Sequence, residues 1–254
     1  MAVCTLLTDF GLADGFVGAM KGVLASGAPG AQLLDLSHDV PAGDIEHGAF
    51  VLAQAAPFFP AGTVHLAVVD PGVGTAREAV VVRHGGALLV GPNNGLLSHV
   101  APAPHDVFLI TNVLWLRPRP SETFHGRDVF APAAAALLSG APPEDAGPRL
   151  PRARWVRLPA REPSDAPDGM MGEVVHVDRF GNLITNLPGA AGLGRVTLEP
   201  AGLTLAVVRT YGDATAGAPL AYVGSRGTLE LAVRDGRAAD VLGVGRGARV
   251  RGMR

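Results

Sequence analysis

The sequence predicts an α/β domain over residues 1–145 and a small all-β domain over residues 170–254, joined by a Pro-rich linker over residues 146–169. Three observations carry this. Residues 1–145 alternate short β-rich apolar runs with stretches of helical period, the pattern of a mixed or parallel sheet with flanking helices. From Ala141 to Gly169 proline recurs at short intervals among Arg, Asp and Glu, which breaks every periodic pattern. Beyond Gly169, apolar residues alternate in short runs divided by turn residues, as in an antiparallel barrel or sandwich.

The first domain has its predicted strands in AVCTLLTD (from Ala2), AQLLDLS (from Ala31), TVHLAVVD (from Thr63), AVVVRH (from Ala79), ALLVGP (from Ala87) and DVFLIT (from Asp106). Between the first two, DGFVGAMKGVLASG puts Phe16, Met20, Val23 and Leu24 on one helix face, with Asp14 placed to cap it. A second helix fits GDIEHGAFVLAQAAPFF, with Ile45, Ala49, Leu52 and Ala56 on its apolar face. A third fits RDVFAPAAAALLSG, where Pro132 belongs in the first turn and Gly140 beyond the end. In the second domain GEVVHVDRFGN, RVTLEP, LTLAVVRTYGD, LAYVGS, TLELAVRDG and ARVRGM read as strands with their turns.

Composition narrows the function classes. Charged residues are 17% of the 254, the net charge is -2, and no Lys/Arg stripe with interleaved aromatics appears, so a nucleic-acid partner is not expected. A small neutral or zwitterionic partner fits better. Cys4 is the lone cysteine, so an internal disulfide is excluded and a small core hydrophobe is expected. No apolar run approaches the ~18 residues of a membrane span, and the start lacks the pattern of a secretory signal. A cytoplasmic protein without membrane association is expected. The eight histidines include no HExxH or other tight ligand spacing, so neither a metal nor a cofactor is predicted.

In open α/β sheets, ligands sit outside the carboxyl ends of strands. Polar residues qualify there in three places: Asp9 in LLTDFG, Asp70 with Arg77 in VVDPGVGTAR, and GPNNGLLS after Val90. His125, Arg127 and Asp128 join them at the entry to the third helix. DFG at Asp9 lacks the Gly-rich loop, strand lysine and HRD-type loop of a kinase; PGVGTAR lacks GK[ST]; no GxSxG elbow exists. Each residue also has a plain structural role open to it. Asp9 can cap a turn, Asp70 before Pro71 can simply leave a strand, Arg77 can be solvated, and His125 can open a helix. Their convergence at strand ends favours function for some of them.

Six blocks in order, TDFGLADGFVGAMKG, AVVDPGVGTAR, GPNNGLL, FHGRDVFAPAAA, VDRFGNLITN and YVGSRGTLELAV, resemble the serial motifs of the S-adenosylmethionine hydroxide adenosyltransferases. These hydrolases are siblings of the fluorinases and chlorinases. The resemblance implies a trimer of α/β and β domains with S-adenosylmethionine between domains, in which water displaces methionine from ribose C5′ to give adenosine. It implies that Asp70, Arg77 and His125 surround the attacking water. Asp9 matches the carboxylate on the ribose diol, Phe124 an aromatic wall near C5′, and Asn182 an adenine-binding amide. Asp178, Ser225 and Arg226 match groups on the methionine ammonium and carboxylate, and Tyr211 and Tyr222 match aromatics around the base and the amino-acid tail. The fluorinase pattern has a Tyr-Ser pair where this chain has His125 and Gly126, so the resemblance favours the water-using branch. Two departures stand out: the fluorinase tryptophan lid falls on Gly43, and its second arginine on Val233.

A sulfonium leaves as a neutral thioether, so no general acid is needed, and catalysis rests on aligning water behind C5′ and managing its proton. Arg77 beside Asp70 is expected to lower that carboxylate's pKa, making it a positioner, with Arg77 and His125 stabilising hydroxide character. The residues alone do not assign the proton acceptor. Two other readings stay open: a non-catalytic binder of adenosine or S-adenosylmethionine, and a chlorinase using the same pocket.

Overall fold

The computed structural model describes residues 2–254. The chain divides into two units at Leu158 and Pro159. In the first, all six predicted strands form among the described residues: β1 (Val3–Thr8), β2 (Gln32–Ser37), β3 (Val64–Val68), β4 (Ala79–His84), β5 (Ala87–Pro92) and β6 (Asp106–Leu109). Their order is β2-β1-β3-β5-β4-β6. β2, β1, β3 and β5 run parallel, while β4 is antiparallel to both β5 and β6. The sheet is therefore mixed. β1 feeds β2 on one side and the chain then returns to β3 on the other, so the strand order reverses between β1 and β3. That is the topological switch point, and Asp9 and Asp70 lie just beyond it.

Strand residues alternate between two cores. Leu6, Leu66, Val68, Val81 and Val90 face helices α1 (Phe16–Gly27) and α3 (Ala131–Leu138); Leu7, Ala67, Val69, Val80 and Leu89 face α2 (Ile45–Ala55). Burial on both faces explains why these strands read as continuous apolar runs. Asp44 caps α2 by accepting from the His47 amide, and Pro132 sits in the first turn of α3 as expected. Helix α1 differs from expectation. It starts after Gly15 with no side-chain cap, so Asp14 does not cap it, and Phe16 is 47% exposed while Val17 takes the buried place. A π turn, Gly126–Phe130, precedes α3.

The Pro-rich stretch is shared between the units. Leu150 and Trp155 are buried in the first, whereas β7 (Ser164–Ala166) pairs with β8 (Gly169–Val177) in the second. There, β8, β9 (Leu183–Pro188), β10 (Arg195–Leu198), β11 (Leu203–Val208), β12 (Pro219–Val223), β13 (Thr228–Val233) and β14 (Arg249–Met253) close into a seven-stranded barrel through the β14–β8 pairing, with β7 outside the ring. A short helix, α4 (Ala238–Leu242), lies between β13 and β14. Closure removes the sheet edges, which decides between the barrel and the sandwich. One pairing, β11 with β12, is parallel rather than antiparallel. β9 is a strand the pattern missed, because LITNLP interrupts its apolar run with Asn186 and ends in proline.

The barrel core holds Val174, Leu183, Ala221, Leu229, Leu231 and Val233. On the outer face of β12 and β13, Leu220, Tyr222 and Ala232 form a separate small cluster. Among the described residues no helix is long and apolar enough to cross a membrane.

Candidate functional site

In the first unit the Asp70–Arg77 loop supplies the central constellation. Beyond β3 the chain turns at Pro71, with Val73 N–H donating to the Asp70 carbonyl and the Thr75 hydroxyl to that of Gly72. Gly74 adopts a positive φ, and a Cβ there would lie 2.7 Å from the Glu122 carbonyl oxygen. Only glycine lets this loop approach the segment that carries His125 so closely.

Arg77 joins the two. Its Nε donates to Asp70 Oδ1 at 3.1 Å and its Nη2 to Asp70 Oδ2 at 2.5 Å, a bidentate pair. Nη2 also lies 2.9 Å from His125 Nδ1. A guanidinium only donates, so His125 Nδ1 accepts, the imidazole is neutral, and its proton sits on Nε2. Nη1 is buried with no hydrogen-bond partner among the described residues, and the guanidinium packs over the Phe130 ring. A buried donor left unpaired is costly unless a ligand or water completes it.

The charge states follow from burial. Burial holds the His125 pKa below its ordinary range, and the Arg77 charge adds to this. For Asp70, burial raises the carboxyl pKa and outweighs the opposing pull of Arg77. The expected lowering by Arg77 is thus overturned: desolvation of a side chain only 4% exposed is the larger effect.

Asp9 leaves β1 beside this group. Its Oδ2 accepts from the Gly43 amide at 2.8 Å, and a Cβ on Gly43 would lie 3.8 Å from Pro71 Cβ, which ties the two strand ends together. Phe10, Phe16 and Phe124 form an edge-to-face trio with centroids 5.3 to 6.1 Å apart. Phe16, grouped by helical period with Met20, Val23 and Leu24, is half-exposed and belongs to this aromatic wall. By contrast GPNNGLLS serves the scaffold. Asn93 bonds Glu78, the Arg154 carbonyl and Val156 N–H, while Asn94 bonds the Val69 carbonyl and Leu96 N–H. Arg127 and Arg117 pair with buried Asp128, fixing the entry to α3.

The second unit gathers the remaining residues. Asp178 Oδ1 accepts from the Asn182 amide and Oδ2 from the Asn182 side-chain nitrogen, both at 2.8 Å, so this acid braces its own loop. Tyr222 and Glu230 are opposite each other in the β12–β13 ladder, and the Tyr222 hydroxyl donates to Glu230 Oε2 at 2.5 Å. The Tyr211 hydroxyl lies 2.5 Å from that of Tyr222. Tyr222 has spent its only proton on Glu230, so Tyr211 donates to Tyr222. Ser225 and Arg226 occupy the turn Gly224–Gly227, closed by Gly227 N–H to the Gly224 carbonyl. Val233 lies in the barrel core, so the position of the fluorinase's second arginine faces inward here.

Glu230 escaped the sequence reading, since an acid in TLELAV looks like the outward residue of an alternating strand. It is 7% exposed, and burial raises its pKa. The signal was available in Tyr222, which falls opposite it once GS-RG is read as a tight turn.

Comparison with known proteins places the chain in a family. The model described as SAM hydroxide adenosyltransferase N-terminal domain matches residues 4–147, and that of the C-terminal domain matches residues 172–251. A protein of Salinispora tropica named (R)-S-adenosyl-L-methionine hydrolase is 49% identical over 96% of this chain and 95% of its own. A more distant relative, a fluorinase of Actinoplanes sp., is 31% identical over 91% and 90% of the two chains. The crystal structure of a conserved Thermotoga maritima protein superposes with a TM-score of 0.91 at 36% identity, covering 98% of this chain and 99% of that one. With both domain models matched in order along most of its length, this chain belongs to the SAM hydroxide adenosyltransferase family.

Proposed function

We propose that the protein hydrolyses S-adenosyl-L-methionine to adenosine and L-methionine, with water attacking ribose C5′ and the neutral thioether departing. The observation that carries the reading is Arg77, clamped to Asp70, bonded to His125 and left with a buried unpaired Nη1, at the switch point of the sheet. Nη1–H and His125 Nε2–H are donors suited to a developing hydroxide. Asp70, its pKa raised by burial, is the basic group of the set and takes the water proton. Metal ions and organic cofactors have no part in this scheme. The relative's name specifies the R sulfonium, and the same epimer is assigned here as the preferred substrate.

In this reading Asp9 holds the ribose diol, Phe124 walls C5′, Asn182 reads adenine, and Asp178, Ser225 and Arg226 hold the methionine end beside Tyr211 and Tyr222. Arg226 suits a bidentate grip on the carboxylate. The setting is cytoplasmic, in keeping with Cys4 as a buried free thiol.

Incubation of each sulfonium epimer in ¹⁸O-water tests the chemistry. Label in the adenosine 5′-hydroxyl is expected. Adenosine without label, 5′-chloroadenosine in chloride, or ligand binding with no product overturns the hydrolase reading.

Assembly is proposed as a head-to-tail trimer in which the ribose and water residues of one chain meet the adenine and methionine residues of another. Assayed at substrate well below the raised KM of Arg226→Ala, where each variant alone turns over little, co-expressed Asp70→Ala and Arg226→Ala chains then recover about a quarter of the sites if they mix at random, because heterologous interfaces pair unlike halves. Mixed assemblies that recover nothing, or a fully active monomer in light scattering, rule this out.

A further inference from the structure

We propose that Glu230 is the principal acceptor for the substrate's α-ammonium group and sets the enzyme's preference for an intact amino-acid tail. This rests on the S-adenosylmethionine reading and deepens it, because the resemblance matched Asp178, Ser225 and Arg226 to the groups on the ammonium and carboxylate, and Glu230 to none.

The geometry separates the two acids. Both Asp178 oxygens already accept from Asn182, one from the amide and one from the side chain. Glu230 spends only Oε2, on Tyr222. Its Oε1 accepts no hydrogen bond among the described residues and lies over the backbone of Gly224, where a Cβ would be 1.9 Å away. That glycine opens the turn carrying Ser225 and Arg226, so any side chain there would displace the carboxylate. A carboxylate oxygen left without a protein donor is open to water or to a ligand donor, and an ammonium supplies both donor and charge.

The ladder aims the side chain. The β13–β9 register shifts between Thr228 and Glu230, and the Thr185 hydroxyl bonds the Leu229 carbonyl at 2.6 Å, pinning the strand at that irregularity. Such irregularities re-aim side chains. Asp178 and Arg226 both act electrostatically on Glu230. An ammonium at Oε1 relieves the repulsion from Asp178, while Arg226 is left to the α-carboxylate. The Tyr211 and Tyr222 hydroxyl protons are committed to the relay toward Glu230, so neither phenol is a free donor to the substrate carboxylate.

The test compares wild type with Glu230→Gln, which keeps the shape and an acceptor for Tyr222 but removes the charge. Each is assayed with S-adenosylmethionine and with its deaminated sulfonium analogue. For S-adenosylmethionine, KM is expected to rise about 10- to 100-fold in E230Q with kcat within about threefold, the size of losing one charge-assisted hydrogen bond. For the analogue, the two proteins should have equal KM. Asp70 gives both substrates an acid loss of kcat, so the discriminating quantity is KM: for wild type it should also rise toward acid with S-adenosylmethionine and stay level with the analogue, which needs no variant to fold. Equal losses on both substrates, no loss on either, or the same acid rise in KM for both overturns the assignment while the hydrolase reading stands. Wild type that neither binds nor cleaves S-adenosylmethionine removes the hydrolase reading itself.

Discussion

In the first unit Asp70 lies in the bidentate grip of Arg77, whereas in the second Glu230 is braced by a phenol and keeps one oxygen empty. Both are acids raised by burial, yet one is closed and the other open. The closed arrangement holds its parts in one geometry before the substrate arrives, as a step that aligns a water behind a carbon requires. The open one keeps a carboxylate oxygen available to a ligand donor, as selective binding requires. On the proposed roles the water-handling group lies in the first unit and the grip on the methionine end in the second, so variants of these two groups should separate into kcat and KM effects.

The largest expected effect is on the closed group. Asp70→Ala, Arg77→Ala and His125→Ala should each lower kcat by roughly 10²- to 10⁴-fold, the range for a positioned proton-handling group, with KM changed far less. Near-normal turnover in all three would break the comparison at once. The pH profile sharpens it. His125 works neutral, accepting from Arg77, and burial lowers its pKa, so kcat should persist as pH falls below the ordinary histidine value of about 6.5. On the proposed role Asp70 must be ionised, and because burial raises its pKa, kcat should fall on acidification before pH reaches the ordinary aspartate range. The limb belongs to the coupled pair. A kcat that halves at or above pH 6.5 would show a histidine not shifted by its surroundings.

Next in size is Arg226→Ala, which removes a grip made alike in ground and transition states. About 1.5–3 kcal/mol is expected for a charge-assisted bond, seen as a raised KM with kcat retained. A fall in kcat at unchanged KM would move Arg226 into the chemistry and erase the division between the two units.

How far the sequence revealed this follows the same division. The strands of the first unit were legible because both faces of its sheet are buried and most of the runs end at or beside Gly, Pro or Asp. Asp70, Arg77 and His125 were marked by their place at strand ends and the helix entry, and the resemblance of the motifs then implied a shared role. The direction of the Asp70 pKa was not legible, since charge partners can be read from spacing but the depth of burial cannot. Phe16 was misread for a related reason: helical period shows which residues share a face, not whether other aromatics outside the helix claim one of them. In the second unit the local rules failed oftener. A closed barrel buries part of its outer face too, so Glu230 on an alternating strand looked solvated, and β9 was hidden by its own Asn and Pro.

The smallest expected effect tests how much the phenol relay contributes beyond packing. Tyr211→Phe keeps the ring, whose centroid is 4.8 Å from that of Tyr222, and removes only the hydroxyl at the outer end of the relay. Tyr222 still donates to Glu230, so the carboxylate keeps its brace and its open oxygen. The loss is one neutral hydrogen bond at a partly exposed residue, about 0.5–1.5 kcal/mol of stability, with KM for S-adenosylmethionine changed by about threefold or less on the same scale. Denaturant unfolding followed beside steady-state kinetics separates the two quantities. A KM rise as large as that of Arg226→Ala would mean that the Tyr211 hydroxyl itself meets the substrate, with the relay running outward from Tyr222 rather than toward Glu230.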